Sequence, residues 1–173
     1  PTLLGYLEAV DVARDARNHP FRLPVQWVNR PNMDFRGYSG TIASGSVAVG
    51  DEIVASLSGR TSTIRAISTY DGDLQEAQAG QAVTITFDDE IDVSRGDVLS
   101  EADQRPDVAD QFAAHVIWMH DDHLIPGRPY LLKIGTKTVL CSITEIKYKV
   151  DADSFQHLAA KDLGLNEIGV VNI

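Results

Sequence analysis

Period-two alternation of apolar and polar side chains, cut at short intervals by glycine, constrains this chain more than any other feature. Leu23, Val25 and Trp27 alternate with Pro24 and Gln26; Ile53, Ala55 and Leu57 alternate with Val54 and Ser56; Val83, Ile85 and Phe87 alternate with Thr84 and Thr86. Successive side chains of a strand point to opposite faces, so each run predicts a half-buried β-strand. Gly37, Gly45, Ser58-Gly59, Asp71-Gly72 and Ala79-Gly80 fall between such runs and predict turns. Short, evenly spaced strands of this kind predict a closed barrel or a sandwich over residues 21–99. Closure also removes the strand edges that would template association with another chain.

The flanking segments read differently. Residues 2–16 place Leu3, Leu4, Leu7, Val10 and Val12 in a loose helical spacing. Asn18-His-Pro20 then breaks the pattern, because proline disfavours helix in the residue before it. Residues 100–110 are acidic and aperiodic, contain Pro106, and read as a connector. Beyond them Phe112, Ala114, Val116 and Trp118 share one face, residues 129–134 and 137–150 read as strands, residues 154–163 as a short helix or helical turn, and residues 165–173 as a last strand. The expected division is a leader over 1–20, a β-barrel over 21–99, a linker over 100–110 and a second, partial β-barrel over 111–173. The fold class expected is all-β, two small β-barrels in tandem. Trp27 and Trp118 are expected as core anchors of their barrels.

Composition bounds the function classes. The chain has 173 residues, 43% of them hydrophobic, enough for an ordinary buried core. No apolar run approaches the ~20 residues of a membrane-spanning helix. Residues 1–20 carry Glu8, Asp11, Arg14, Asp15 and Arg17 where a cleavable leader would be apolar. Cys141 is the one cysteine, which excludes a disulfide within the chain and fits a reducing, cytoplasmic setting. Alternating with Val139 and Ile143, it is expected to face the core as a small apolar group. A net charge of −10 is poorly matched to nucleic acid phosphates, which are bound by clustered Lys and Arg. Neither a membrane nor a nucleic acid is expected as a partner.

No motif in the chain assembles a reaction centre. The phosphate-cradling pattern G-x-x-x-x-G-K-[ST] is absent, and Gly135-Thr-Lys-Thr138 sits between two strands as a hairpin turn would. Asp34-Phe-Arg-Gly37 matches a γ-phosphate-sensing D-x-x-G at only its fixed positions, and Asn29-Arg-Pro-Asn32 is not a guanine-reading N-K-x-D. His120-Asp-Asp-His123 has metal-ligating side chains, but the further ligands of a tetrahedral site are not evident, so an exposed turn is the better reading. Asp88-Asp-Glu90 and Asp92 lack the ~12-residue ligand spacing of a calcium loop and read as solvated turn charges. No G-x-S-x-G elbow is present. No catalytic, cofactor-binding or metal-ligating residue is therefore expected here.

Residues 30–36 form a long loop carrying Arg30, Met33, Phe35 and Arg36. Arg, Met and aromatic residues are enriched at interface cores, so the loop reads either as a contact surface or as an ordinary barrel loop. In Arg95-Gly96-Asp97, Gly96 permits a turn with positive φ. Arg95 and Asp97 are placed to pair with each other or to meet a neighbouring domain.

The stretches 83–99 and Gly40-Thr-Ile-Ala-Ser-Gly-Ser-Val-Ala-Val-Gly-Asp-Glu-Ile53 resemble the second domain of translation-factor-type GTPases. Phe21-Arg-Leu-Pro-Val-Gln-Trp-Val-Asn-Arg-Pro31, Asp89-Glu-Ile-Asp-Val-Ser-Arg-Gly96 and Phe112-Ala-Ala-His-Val-Ile-Trp-Met119 resemble, more narrowly, the large GTP-binding subunit of bacterial two-subunit ATP sulfurylase (sulfate adenylyltransferase). That resemblance implies domains 2 and 3 of such a subunit, without the GTPase domain that precedes them and without the closing hairpin of the third domain. It implies a parent active in sulfate assimilation. There GTP hydrolysis drives a small partner subunit that makes adenylyl sulfate and pyrophosphate from ATP and sulfate. GTP and Mg²⁺ would belong to the GTPase domain. The partners implied are that domain and the small subunit, and Arg30, Met33, Phe35, Arg36, Arg95 and Asp97 are the candidate contacts. Two other readings stand beside it: the barrels of a translation-type GTPase binding tRNA or ribosome, and a freestanding binding module.

Residues 1–173 should bind neither GTP nor GDP. Calorimetry with each nucleotide and Mg²⁺ checks this; micromolar affinity, about −8 kcal/mol, would contradict it.

Overall fold

The computed structural model describes residues 2–9 and 16–173. Val10 and Val12, part of the helical spacing read in the leader, lie outside them. Of that leader a single helix is described, α1 (Leu3–Ala9), and none of its residues is buried. A 3-10 turn at Ala16–Asn18 follows. The chain then folds as two compact units, the first ending at Asp107 and the second beginning at Val108. The described residues are almost entirely β, as the alternation requires.

The strands of the first unit are β1 (Arg22–Pro24), β2 (Trp27–Asn29), β3 (Gly37–Thr41), β4 (Ser46–Ala48), β5 (Glu52–Ala55), β6 (Thr61–Thr69), β7 (Gly72–Leu74), β8 (Glu76–Gln78), β9 (Ala82–Phe87) and β10 (Val98–Glu101). Its main sheet runs β1-β10-β5-β6-β9-β3-β2, with β7 beside β6 and a separate β4–β8 ribbon. All pairings are antiparallel. The two ends of this order, β1 and β2, are neighbours in sequence. Only Val25 and Gln26 lie between them, and both are bonded: Val25 N–H donates to Asp97 O, Gly96 N–H donates to Val25 O, and Gln26 N–H donates to Ser39 O. One extended segment, residues 22–29, thus supplies both end strands, and the sheet closes on itself. Inside lie Phe21, Leu23, Val25, Tyr38, Ile53, Ile64, Ile67, Ile85 and Leu99, each no more than 1% exposed.

Closure explains where the alternation fails. Leu23 and Val25 are fully buried, but Trp27 is 62% exposed, and it is Val28 that packs on the core. Trp27 is therefore not a core anchor. Gln26 and Trp27 both face Ser39, the first through its N–H and the second by register. Two residues opposite one is bulge geometry, and a bulge turns the following side chains to the other face. Gly40 sits where the segment crosses β3: a Cβ there would lie 2.4 Å from the carbonyl oxygen of Pro24 and 3.0 Å from Leu23 Cδ1.

Strand β10 continues to Glu101, into the stretch read from sequence as a connector. Ser100 is fully buried, and its hydroxyl lies 3.2 Å from that of Ser56. The Glu101 carboxylate accepts from Phe21 N–H, and Arg105 donates from Nε and Nη2 to Ser56 O. Aperiodic, polar sequence here marks a segment held by hydrogen bonds rather than by apolar burial.

The strands of the second unit are β11 (Ala113–Ile117), β12 (Pro129–Ile134), β13 (Lys137–Ser142), β14 (Glu145–Val150), β15 (His157–Leu158) and β16 (Ile168–Asn172). The sheet order is β11-β16-β14-β15, and β12 with β13 forms a hairpin of its own. The last strand is central: Val170 and Val171 pair with β11 on one side and β14 on the other. The last strand of the chain is therefore interior to its sheet and not at an edge. The core holds Leu124, Ile143, Ile146, Leu163 and Val171, with Trp118 and Tyr130 packed against it. Trp118 is the core anchor expected, and Cys141 is half-buried. Residues 154–163 hold no helix. The Asp151 carboxylate accepts from the Ser154 N–H and hydroxyl, and Phe155 N–H bonds back to Asp151 O. Phe155 then takes φ of 57°, a left-handed conformation that ends a helical turn.

Gly40→Ala should destabilise the first unit by about 1–3 kcal/mol, since its Cβ would meet backbone that closure holds in place. Differential scanning calorimetry resolves this; an unchanged transition for that unit would show that the crossing has slack.

Candidate functional site

In the first unit two connections meet at one place. Residues 30–36 join β2 to β3, and residues 88–97 join β9 to β10. Asn32 Oδ1 accepts from Asp34 N–H, which sets the local turn of the longer loop. Glu90 then faces Arg30 and Arg36, and Asp92 faces Arg36, each pair at 3.9 Å. These separations are long and the carboxylates are largely in water, so each pair contributes on the order of 0.5 kcal/mol. Their effect is to hold the two connections in register.

Arg36 is the best-held member, its side chain only 22% exposed. Its Cζ lies 5.7 Å from the centre of the Tyr38 ring, within cation–π range. Tyr38 is itself buried, stacks on Phe87 at 5.0 Å and donates its hydroxyl proton to Ile91 O at 2.8 Å. Burial pushes the Tyr38 phenol above its usual 10.0, opposed by the positive charge of Arg36, so it stays a neutral donor. Between these groups is a small cleft of about 90 Å³ lined by Arg36, Tyr38, Arg65, Phe87 and the carboxylates of the 88–90 turn. It holds a tyrosine floor, arginines and carboxylates, with no phosphate-cradling loop. That chemistry is recognition of a polar or charged surface.

The sequence-derived candidates separate here. Arg30 and Arg36 converge on Glu90. Met33, on the same loop, is 86% exposed. Phe35 is only half-exposed because its ring fills the space over Gly37, where a Cβ would lie 2.9 Å from it. Arg95 is exposed in a different turn. Asp97 serves that turn internally: its carboxylate accepts from Ser94 N–H, and Gly96 takes φ of 96°. Sequence reading missed the roles of Tyr38, Arg65, Glu90 and Asp92 in this arrangement. The proximity of Glu90, Asp92 and Arg65 follows from β9 lying between β3 and β6, which no local spacing encodes.

In the second unit the 120–123 motif is divided among separate bonds. His120 Nδ1 accepts from Asp122 N–H, and His123 Nδ1 lies 2.9 Å from Asp162 Oδ2. Trp118 Nε1 donates to Asp122 O at 2.6 Å. Among the described residues, no three His, Cys, Asp or Glu side chains gather as a metal site. Gly135, with φ of 56°, makes the β12–β13 turn expected of it. Lys149 and Glu167 form an ion pair. The hydrogen bond from Lys149, with a second from Gly164 N–H, holds the Glu167 carboxyl below its usual 4.5, and the same bond raises the Lys149 ammonium above 10.5.

Residues 111–173 match the family described as GTP-eEF1A C-terminal domain-like. Over the whole chain, 50% of residues are identical to the bifunctional enzyme NodQ of Rhizobium sp. strain N33, of which the chain spans 27%. Sulfate adenylyltransferase subunit 1 of Aeromonas salmonicida strain A449 is 47% identical over 99% of the chain, which spans 36% of that protein. Among solved structures, that of Sup35 complexed with GDP superposes on 99% of this chain and 43% of its own, with a TM-score of 0.83 at 18% identity; this likeness concerns the fold alone. The chain is thus homologous along its length to a segment of sulfate adenylyltransferase subunit 1 and of NodQ. Among the described residues, no helix is long and apolar enough to cross a membrane.

Glu167→Gln should alter the acid limb of stability. A carboxyl held below its usual value adds stability that is present above about pH 4.5 and is lost as pH falls through the lowered value. The variant should melt lower than the wild type at pH 7, and the gap should narrow toward pH 3. A gap independent of pH would show that the pair contributes nothing through ionisation.

Proposed function

We propose that this chain is the β-domain segment of the GTP-dependent subunit of a sulfate adenylyltransferase, and that it couples rather than catalyses. The observation that carries this reading is the 47% identity, over 99% of the chain, to sulfate adenylyltransferase subunit 1. The whole enzyme forms adenylyl sulfate and pyrophosphate from ATP and sulfate on a second subunit. GTP, bound with Mg²⁺ by a GTPase domain outside these residues, drives the step. The reaction takes place in the cytoplasm.

The chemistry of the chain supports a non-catalytic part. The cleft between the 30–36 and 88–97 connections has donors, acceptors and an aromatic floor but no phosphate-cradling loop. A closed sheet with a continuous core moves as one body, so nucleotide-dependent change would shift whole units rather than remodel strands. Arg30, Met33 and Arg36 are the residues that would meet the GTPase domain, with Arg95 a further exposed cation in a separate turn. Phe35 supports the 30–36 loop from within, and Asp97 holds the turn that carries Arg95.

The test is a chimera. The matching segment of the Aeromonas salmonicida subunit 1 is replaced by residues 1–173, and GTP-dependent formation of adenylyl sulfate is measured with the cognate second subunit. Retained GTP-dependent synthesis is expected. Arg36→Ala in the chimera should lower the GTP stimulation several-fold without altering the GTP-independent rate. A folded chimera with no GTP-dependent synthesis would contradict the reading.

A further inference from the structure

The chain holds one aspartate followed by glycine and no asparagine followed by glycine, and the pair is Asp71-Gly72. It lies at the tip of the β6–β7 hairpin, where Thr69 pairs with Gly72 across a turn made of Tyr70 and Asp71. Asp71 and Gly72 are exposed, and Tyr70 fully so. Gly72 takes φ of 129°, a conformation that side chains disfavour, so the turn depends on glycine here. A Cβ built on Gly72 meets nothing within 4 Å, so the space beside this peptide link is open.

The carboxylate of Asp71 differs from those of the other turns. Asp51 accepts from Ala48 N–H, Asp73 from the Ser68 hydroxyl, Asp97 from Ser94 N–H and Asp151 from Ser154 N–H. Asp71 donates its own N–H to Thr69 Oγ1, but among the described residues its carboxylate has no hydrogen-bond or ion-pair partner. It is free to rotate onto the peptide nitrogen that follows it. In every other Asp-X pair of the chain, X carries a side chain that crowds this nitrogen.

We propose that Asp71-Gly72 is a site of covalent rearrangement to isoaspartate. The Gly72 nitrogen attacks Cγ of the protonated Asp71 carboxyl and forms an N–Cγ bond. A carboxyl oxygen leaves as water, taking the nitrogen's proton and the carboxyl's own, and a five-membered succinimide results. Local opening of the hairpin tip admits the rotation this needs. Water then cleaves one of the two C–N bonds of the ring. Cleavage at Cγ restores aspartate; cleavage at the original backbone carbonyl routes the chain through Cγ and frees the α-carboxyl. One water is lost and one regained, and no oxidant takes part. The product carries one extra methylene in the main chain, which a two-residue hairpin connection does not accommodate. The Thr69–Gly72 pairing, the bond from Thr69 Oγ1 to Gly72 O and the Ser68–Asp73 bond are then lost. Strand β7 pairs with β6 alone and lies off the main order, so the closed sheet survives. The freed α-carboxyl is a substrate for methylation by S-adenosylmethionine.

The test holds the full chain at pH 7.4 and 37 °C for several weeks, beside Asp71→Glu and the isolated peptide 66–95. Glutamate would have to close a six-membered ring, which is slower. Since the Asp71 carboxylate is exposed and unpartnered, the variant should melt as the wild type does. A protein isoaspartyl methyltransferase with labelled S-adenosylmethionine counts the product; trypsin then releases 66–95, and electron-transfer fragmentation places it. Isoaspartate is expected at position 71 of the wild type, without net change of mass and through a form lighter by one water. Methyl incorporation should exceed that of Asp71→Glu several-fold. No isoaspartate at position 71 of the folded chain overturns the proposal, and conversion of the peptide alone would show that the hairpin protects the pair. Equal methylation of Asp71→Glu overturns it as well.

Discussion

The first unit depends on how residues 22–29 are bonded. Their first half pairs with β10, their second half with β3, and the two residues between are tied to Asp97, Gly96 and Ser39. A sheet without this link would have two free edges, each a row of unpaired donors and acceptors. With it, the two end strands of the order, β1 and β2, are one continuous segment, and each strand between them has a neighbour on both sides. The cost falls on side chains. The bulge at Gln26–Trp27 turns a tryptophan out to solvent, and Gly40 must stay without a Cβ so that Pro24 can approach.

The same link positions the charged cleft. Loop 30–36 leaves directly from β2, and the 88–97 connection ends at the Asp97 and Gly96 atoms that hold Val25. The connections are thereby anchored at both ends, and weak, long ion pairs are enough to register them. Tyr38 joins this surface to the core, with its ring stacked on Phe87 and its hydroxyl bonded to Ile91 O. A surface fixed to a closed core in this way transmits displacement as a rigid body, which is the property required of a coupling module. The second unit is built differently. Its sheet is open, with β16 central, and its hairpin reaches past the core that supports it.

Much of the fold was legible in the sequence because period-two alternation reports burial directly. Val83, Ile85 and Phe87 are buried as their spacing predicts. The misses have local physical causes. Trp27 shares the face of Leu23 and Val25 in an unbroken strand, but a bulge is set by the partner strand, which spacing does not contain. Residues 154–163 carry helical spacing, yet the Asp151 carboxylate and the left-handed Phe155 make a closed turn instead. The central place of the terminal strand is not legible either, because strand order is non-local. The candidate site was legible in part: loop composition singled out Arg30 and Arg36. Glu90 and Asp92 became their neighbours only through the β3–β9 pairing. The aliphatic hairpin was legible as strands but not as exposed strands, because alternation does not say whether a second layer covers either face.

Native-state amide hydrogen exchange at Val25 and Gln26 tests the closure of the first unit most directly. If residues 22–29 close the sheet, the amides of Val25 and Gln26 should exchange only through global unfolding of that unit. Their free energy of exchange should then equal that of Ile64 and Ile85 in the central strands, and should fall with denaturant at the same slope. Exchange at Val25 and Gln26 through a low-energy, denaturant-independent opening, with Ile64 and Ile85 still protected, would contradict it.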